Sequence, residues 1–265
     1  YRDKAAFDVI VQSMAGLMSV TGFPGGEPAR AGISVGDVVA GLYAVQAIST
    51  ALYQRERTGR GCSIDVSMFD CLFSFLTYYL TLYQATGEVP GPQGSGHPTM
   101  VPGGAFPTSD GYVTIAAFNQ GFWKEFCQAA GHPEWIEDPK FATPRDRMRN
   151  RDELIRLISA VTRQRSTSQW IHALSERDIP HGPVWNVAQA MASDQAVARS
   201  LMVSFRHPVA GDVRVANYPV KISEVETGVR MAPPALCQDT DAVLKDVLGL
   251  SDRDLERLRQ EKAIG

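Results

Sequence analysis

The sequence predicts a mixed α/β protein, of the α+β type within this chain, with helices first and short strands later. Long apolar helical patterns occupy most of residues 8–86, whereas glycine-rich loops and hairpin patterns begin at residue 87. The chain also lacks the glycine-rich strand-turn-helix of a dinucleotide-binding fold and the Gly-x-x-x-x-Gly-Lys phosphate loop. These observations favour helices packed beside small sheets.

The first two helices are predicted from apolar periodicity and from flanking residues. Residues 8–20 form a helix that ends before Gly22, and a Gly/Pro loop follows. The next helix opens with Asp37 as its N-cap and runs to about Arg57. Its apolar residues fall on most faces, so we expect it to be buried on most sides.

A strand and a third helix complete this region. Residues 62–67 alternate in a strand-like way, and residues 68–85 form an apolar, aromatic helix. The second and third helices approach the length of a bilayer-spanning helix. Because each contains an ionisable residue, Asp37 or Asp70, we predict that both lie inside protein and that the chain has no membrane partner.

The character of the chain changes at residues 87–104, which contain six glycines and four prolines. This composition predicts a long loop, and long loops are often functional. Asp110 and Gly111 then form the turn of a hairpin over residues 105–116. Further patterns predict helices over residues 120–130, 151–163, 168–177, 239–248 and 251–262, and a second hairpin over residues 202–222. The last of these helices opens with a capping-box pattern, in which Asp254 takes the place of the usual Glu three residues after Ser251.

Composition excludes several classes of function. A net charge of −3 provides no basic field for a phosphate backbone, so we expect no nucleic-acid partner. The four cysteines are scattered and have no zinc-type spacing, which predicts free thiols and a cytoplasmic location. No histidine pair has metal-ligand spacing, and a Gly-x-Ser-x-Gly nucleophile elbow is absent.

Asp8 is the first candidate for chemistry, because it opens an apolar helix directly after Phe7. Aspartate is a favoured N-cap, although Val11 offers no capping-box partner. A helix N-terminus also stabilises negative charge, and an ionised carboxylate is the form that attacks a carbonyl. The residues alone leave both roles open.

The loop at Gly94, Ser95 and Gly96 is the second candidate. It is either a flexible surface connection or a site where backbone N–H groups approach a ligand closely. Such donors stabilise an oxyanion.

With these residues in place, the chain resembles the class III coenzyme A transferases from its first residue to its last. The shared motifs occur in the same order: YRDKAAFD (1–8), QSMAGLM (12–18), GDVVAG (36–41), RTGRG (57–61), IDVSMFD (64–70), GHP (96–98), PGGAFPTSDG (102–111) and IPHGPV (179–184).

The resemblance implies that Asp8 is the catalytic aspartate. In this family the carboxylate attacks an acyl-CoA thioester and forms a mixed anhydride, which the CoA thiolate converts to an aspartyl-CoA thioester. A carboxylic acid acceptor then forms a second anhydride and leaves as its CoA ester. The resemblance further implies a coenzyme A thioester as substrate, no tightly bound cofactor, and substrate-binding roles for the following residues: Gln12, Gly94, Ser95, Gly96 and His97.

The resemblance also implies the class III CoA-transferase fold, with a Rossmann-like large domain, a small mixed domain and an interlocked homodimer. Residues 1–66 are then the remainder of the large CoA-binding domain, 67–86 a linker helix, 87–178 the small domain and 179–265 a return segment. Because family members carry a long N-terminal half before the aspartate, we expect this chain to be a portion that lacks it.

Two alternatives remain open. The family includes α-methylacyl-CoA racemases, which use an acid after the first hairpin of the small domain and a histidine from the N-terminal half. Residues 116–120 read AAFNQ and contain no acid, which favours the transferase because α-proton exchange needs paired acid and base groups. The other alternative is an inactive fragment that only binds or assembles.

Overall fold

A computed structural model describes residues 4–265 of the chain, which divide into two compact units. The first unit extends to Val184, and the second runs from Trp185 to Gly265. The helices of the first unit are α1 (Asp8–Met14), α2 (Leu17–Val20), α3 (Val35–Thr58), α4 (Met68–Phe75), α5 (Thr77–Thr86), α6 (Gln120–Ala130), α7 (Pro144–Arg149), α8 (Arg151–Thr162) and α9 (Thr167–Ser175). Its strands are β1 (Gly103–Pro107), β2 (Tyr112–Ala116) and β3 (His181–Pro183).

Two helices that the sequence predicts as continuous are broken. The first divides at Gly16, whose φ of 87° lies in the left-handed region. A Cβ atom at Gly16 would lie 3.2 Å from Leu76 Cδ1. The absence of a side chain at Gly16 therefore lets Leu76, the C-cap residue of α4, approach closely. The second divides before Thr77, whose φ is 30°. Local periodicity does not report either break.

The prediction that α3 is buried on most sides is wrong for this chain. Along its 24 residues, Gly36 and Val39 are buried, whereas Leu42 and Val45 are exposed by 65% and 62%. The N-terminal part of α3 packs against α1 and α4. The predicted N-cap at Asp37 is wrong, because Ser34 occupies the N-cap position and Asp37 lies inside the first turn. α3 is long and apolar enough to cross a membrane. Length and composition alone do not distinguish such a helix from a core helix of a soluble protein.

The predicted strand over residues 62–67 is also wrong, because this extended segment pairs with no strand within residues 4–265. A strand needs a partner for its backbone groups, and the described chain supplies none here.

Residues 103–183 form a small module, which is built on a three-stranded antiparallel sheet in the order β1-β2-β3. The predicted hairpin around Gly111 is confirmed, as are the helices predicted at α6, α8 and α9. Helices α8 and α9 pack on the sheet and α6 packs on α9, and together they bury large side chains in one core. These include Phe106, Val113, Ile115, Trp123, Phe126, Leu154, Ile158, Trp170 and Leu174.

The turn of this hairpin is fastened to α9. Asp110 accepts hydrogen bonds from the backbone N and Oγ1 of Thr167 at 2.7 and 2.8 Å, and from Thr108 Oγ1 at 3.1 Å. These bonds to Thr167 lower the pKa of Asp110 below its ordinary value.

The second unit contains α10 (Val187–Ala192), α11 (Asp194–Ala198), β4 (Met202–His207), β5 (Gly211–Ala216), α12 (Thr240–Leu248) and α13 (Asp252–Gln260). The second predicted hairpin is confirmed as the antiparallel pair β4-β5. The predicted capping box at α13 is present, because Ser251 and Asp254 each accept a hydrogen bond from the other's backbone N–H.

Candidate active site

Asp8 is the first residue of α1, and Phe7 occupies the N-cap position in an extended conformation. No side chain caps α1. Asp8 therefore does not serve as the N-cap of its own helix. Its side chain points into the packed junction of α1, α3 and α4, where it is 6% exposed.

Both oxygens of the Asp8 carboxylate accept short hydrogen bonds. Oδ1 accepts from the backbone N of Gly36 at 2.7 Å, and Oδ2 accepts from Gln12 Nε2 at 2.7 Å. The guanidinium of Arg30 lies 4.0 Å from Oδ2, and the Arg30 side chain is 50% exposed. Gly36 is the second residue of α3, and Ser34 at the N-cap makes no side-chain capping bond. Asp8 thus supplies the acceptor that the start of α3 needs.

Gln12 lies one helical turn after Asp8 and is fully buried. Its Oε1 accepts from the backbone N of Ala31 at 2.9 Å, and its Nε2 also donates to the carbonyl of Ile33 at 3.3 Å. These partners require the amide nitrogen to face Asp8. Both polar atoms of the Gln12 side chain are therefore hydrogen-bonded to protein, and Nε2 holds the Asp8 carboxylate in place. A contact of Gln12 with substrate stays a prediction.

The close approach of α1 and α3 depends on Gly36. A Cβ atom built there would lie 3.0 Å from Asp8 Oδ1 and 3.2 Å from Leu72 Cδ1. Sequence reasoning missed Gly36 and Arg30 as parts of this site. The glycine does occur in the GDVVAG motif, but nothing in that motif indicates that its N–H meets a residue 28 positions earlier.

Hydrogen bonds join the glycine-rich loop to three other segments of the first unit. The Gly94 N–H donates to the carbonyl of Gly22 at 2.8 Å, and Ser95 Oγ accepts from the backbone N of Ala105 at 2.8 Å. Arg151 Nη1 donates to the carbonyl of His97 at 3.1 Å. The loop is therefore ordered by named contacts rather than being a loose surface connection.

Few groups of this loop remain to bind a ligand. The N–H of Gly96 donates to the carbonyl of Gln93 at 3.0 Å, and His97 Nδ1 accepts from the backbone N of Thr99 at 3.2 Å. The His97 ring stacks on the ring of Tyr78 at 5.8 Å between centroids. Within the described residues, the backbone N–H groups of Ser95 and His97 have no protein acceptor.

The predicted site residues form two groups. Asp8 contacts Gln12 directly, and residues 94–97 are neighbours in the loop, but no hydrogen bond, ion pair or ring contact in residues 4–265 joins one group to the other. A groove of about 570 Å³ between α3 and α4 is lined by Thr50, Cys62 and Asp70 among others, and not by Asp8. A cavity of about 510 Å³ beside α1 involves the opposite face of that helix, including Ile10 and Met14.

Comparison with known proteins identifies the family to which this chain belongs. The family described as CoA-transferase family III matches residues 1–240. The chain is 38% identical over 219 residues to acetyl-CoA:oxalate CoA-transferase of Acetobacter aceti, covering 82% of this chain and 55% of that protein. It is 32% identical over 265 residues to succinyl-CoA–D-citramalate CoA-transferase of Chloroflexus aurantiacus, covering 100% of this chain and 66% of that protein.

The chain thus spans between about half and two thirds of the length of these relatives. Among solved structures, a CAIB/BAIF family protein from Brucella suis matches with a TM-score of 0.81 and 32% identity, over 93% of this chain and 64% of that chain. The mixed helix-and-strand arrangement is therefore that of known relatives, and this chain belongs to CoA-transferase family III.

Proposed function

We propose that this chain carries the nucleophile of an enzyme that moves coenzyme A between carboxylic acids, and that the nucleophile is Asp8. The observation that carries the proposal is the buried Asp8 carboxylate, held by Gln12 and Gly36 in a chain of family III. Hydrogen-bond donors hold the carboxylate in one orientation before it reacts, which is what a nucleophile needs.

The reaction proceeds through an aspartyl mixed anhydride and an aspartyl-CoA thioester. Asp8 attacks the donor thioester, and the released CoA thiolate attacks the aspartyl carbonyl. The acceptor carboxylate then displaces CoA, and the thiolate takes the new acyl group. In this scheme the unpaired N–H groups of Ser95 and His97 stabilise the oxyanion on the substrate carbonyl.

The substrates we propose are an acyl-CoA and a small dicarboxylic acid. The two relatives compared above are named for oxalate and D-citramalate, which are both dicarboxylic acids. Arg30, half-exposed beside Asp8, offers a cation for the second carboxylate of such an acceptor. No tightly bound cofactor is required by the chemistry.

We also propose an interlocked homodimer, located in the cytoplasm and without nucleic-acid or membrane partners. The exposed stripe along α3, which includes Val38, Leu42, Val45 and Leu52, needs a protein surface to cover it, and a second copy supplies one. Neither large cavity of the first unit is lined by Asp8. We propose that the CoA-binding surface, including a Rossmann-like domain, is completed by protein outside the described residues.

Trapping of the acyl-enzyme tests this function on the whole protein. Incubation with acyl-CoA and hydroxylamine should convert Asp8 to a hydroxamate, found by mass spectrometry of the peptide that contains it. The Asp8→Asn variant should yield none. Absence of the hydroxamate together with α-proton exchange into deuterated water would indicate the racemase reaction. Absence of any CoA binding would indicate an inactive module.

A further inference from the structure

We propose that the two oxygens of Asp8 have separate and permanent tasks. Oδ2 forms and breaks the bonds to acyl groups, whereas Oδ1 stays on the Gly36 N–H throughout and becomes the oxyanion when the aspartyl carbonyl is attacked. This proposal rests on the proposed function, and it adds Gly36 as a catalytic residue through its backbone N–H.

The surroundings of the two oxygens differ in kind. Oδ1 faces a backbone N–H in the first turn of α3, at 2.7 Å, and α3 packs against both α1 and α4. Oδ2 faces the side-chain amide of Gln12 and lies on the side of the half-exposed Arg30 guanidinium. Of the groups around the two oxygens, the Arg30 side chain beside Oδ2 is the half-exposed one, and this assigns Oδ2 to the substrate and Oδ1 to the backbone donor.

Each step of the reaction forms one bond and breaks another. Oδ2 attacks the donor thioester carbonyl, its bond to the acyl carbon forms, and CoA leaves as a thiolate. The thiolate attacks the aspartyl Cγ, the C–S bond forms, and the Cγ–Oδ2 bond breaks, so that Oδ2 departs within the released carboxylate. An acceptor carboxylate oxygen then attacks Cγ and CoA leaves. When the thiolate takes the acceptor's acyl group, that oxygen remains on Asp8 in the place of Oδ2.

Negative charge develops on Oδ1 in both attacks at Cγ. A backbone N–H at 2.7 Å lies within the range that oxyanion donors occupy. The start of a 24-residue helix adds a positive partial charge at the same point. A Cβ atom at Gly36 would lie 3.0 Å from Oδ1, closer than ordinary contact, so the carboxylate would have to shift by a few tenths of an ångström relative to its donor.

Isotopic labelling of the unmodified protein tests the proposal. The enzyme undergoes many turnovers with an acceptor acid whose carboxylate oxygens are both the heavy isotope, and the mass of the peptide containing Asp8 is then measured. We expect one heavy oxygen per Asp8 and no second one. Two heavy oxygens would show that the carboxylate turns over between cycles and would overturn the proposal. No heavy oxygen in an active enzyme would overturn the aspartyl mechanism itself.

A glycine variant and a matched control provide the second measurement. Gly36→Ala keeps the backbone N–H but moves Asp8 Oδ1 away from it, so it should lower the rate by up to about 10²-fold, the effect of losing one oxyanion donor, and should admit a second heavy oxygen into Asp8. The control is Gly228→Ala in the second unit, where a Cβ atom would have no neighbour within 4 Å. It should keep both the wild-type rate and the single label. Equal rates in the two variants would refute the role of Gly36.

Discussion

Replacement of Asp8 by asparagine tests the hydrogen-bond cluster at the start of α1 independently of catalysis. The new side chain keeps an oxygen for the Gly36 N–H, but its nitrogen then faces Gln12 Nε2, which is also a donor. Gln12 cannot turn over to relieve this without losing its bonds to Ala31 and Ile33.

The cost follows from burial. Asp8 and Gln12 are 6% and 0% exposed, so a donor left without an acceptor here cannot turn to water. An unsatisfied buried polar group costs about 1–3 kcal/mol. We therefore expect Asp8→Asn to lower the free energy of unfolding by about that amount. Asp65→Asn is the control, since Asp65 is exposed and should change stability by less than about 0.5 kcal/mol.

A second substitution separates stability from activity. Gln12→Glu combined with Asp8→Asn gives the new amide nitrogen a carboxylate acceptor, which the Ala31 N–H also reaches. We expect the pair to be more stable than the sum of the single changes predicts, by about 1 kcal/mol, yet to transfer no CoA. Urea unfolding of the wild type, the two single variants, the double variant and the Asp65→Asn control, together with a CoA-transfer assay, measures this. Additive losses, or an Asp8→Asn variant as stable as its control, would refute the hydrogen-bond pattern described above.

Two further predictions concern the small module. Burial raises the pKa of the Cys127 thiol to about 12, whereas Cys62 is exposed. Iodoacetamide at neutral pH should therefore alkylate Cys62 in the folded protein and reach Cys127 only after unfolding, and early alkylation of Cys127 on a peptide map would contradict this packing. The pKa of Asp110 is lower in the folded protein than in the unfolded chain, where it is about 4. Its hydrogen bonds to Thr167 therefore stabilise the fold above about pH 4, and this contribution is lost as the pH falls through the pKa of the folded state. Asp110→Asn should thus be less stable than wild type at neutral pH, and the difference should shrink below about pH 4; a difference that does not change with pH would refute the argument.

Local patterns predicted much of the small module and of the second unit. The Asp110-Gly111 turn, the amphipathic helices α6, α8 and α9, and the Ser251 capping box depend on residues close together in the sequence. Such features are visible to periodicity and turn chemistry because the interacting groups lie within one or two turns of each other. The order of the motifs was enough to indicate the family.

The contacts of the candidate site could not be predicted from local patterns, because they join residues far apart in the sequence. The sequence offered Asp8 as either a cap or a nucleophile, and tertiary packing decided that it caps the distant helix α3 rather than its own. Gly36, Arg30 and the exposure of α3 were not predictable from local pattern. They depend on which helices pack together, and an apolar helix has the same sequence whether its face is covered by this chain or by another. The sequence by itself determined the hairpins and the amphipathic helices and singled out the Asp8 carboxylate, because those signals are local. Only the tertiary structure determined where the longer helices break and which donors hold each oxygen of that carboxylate.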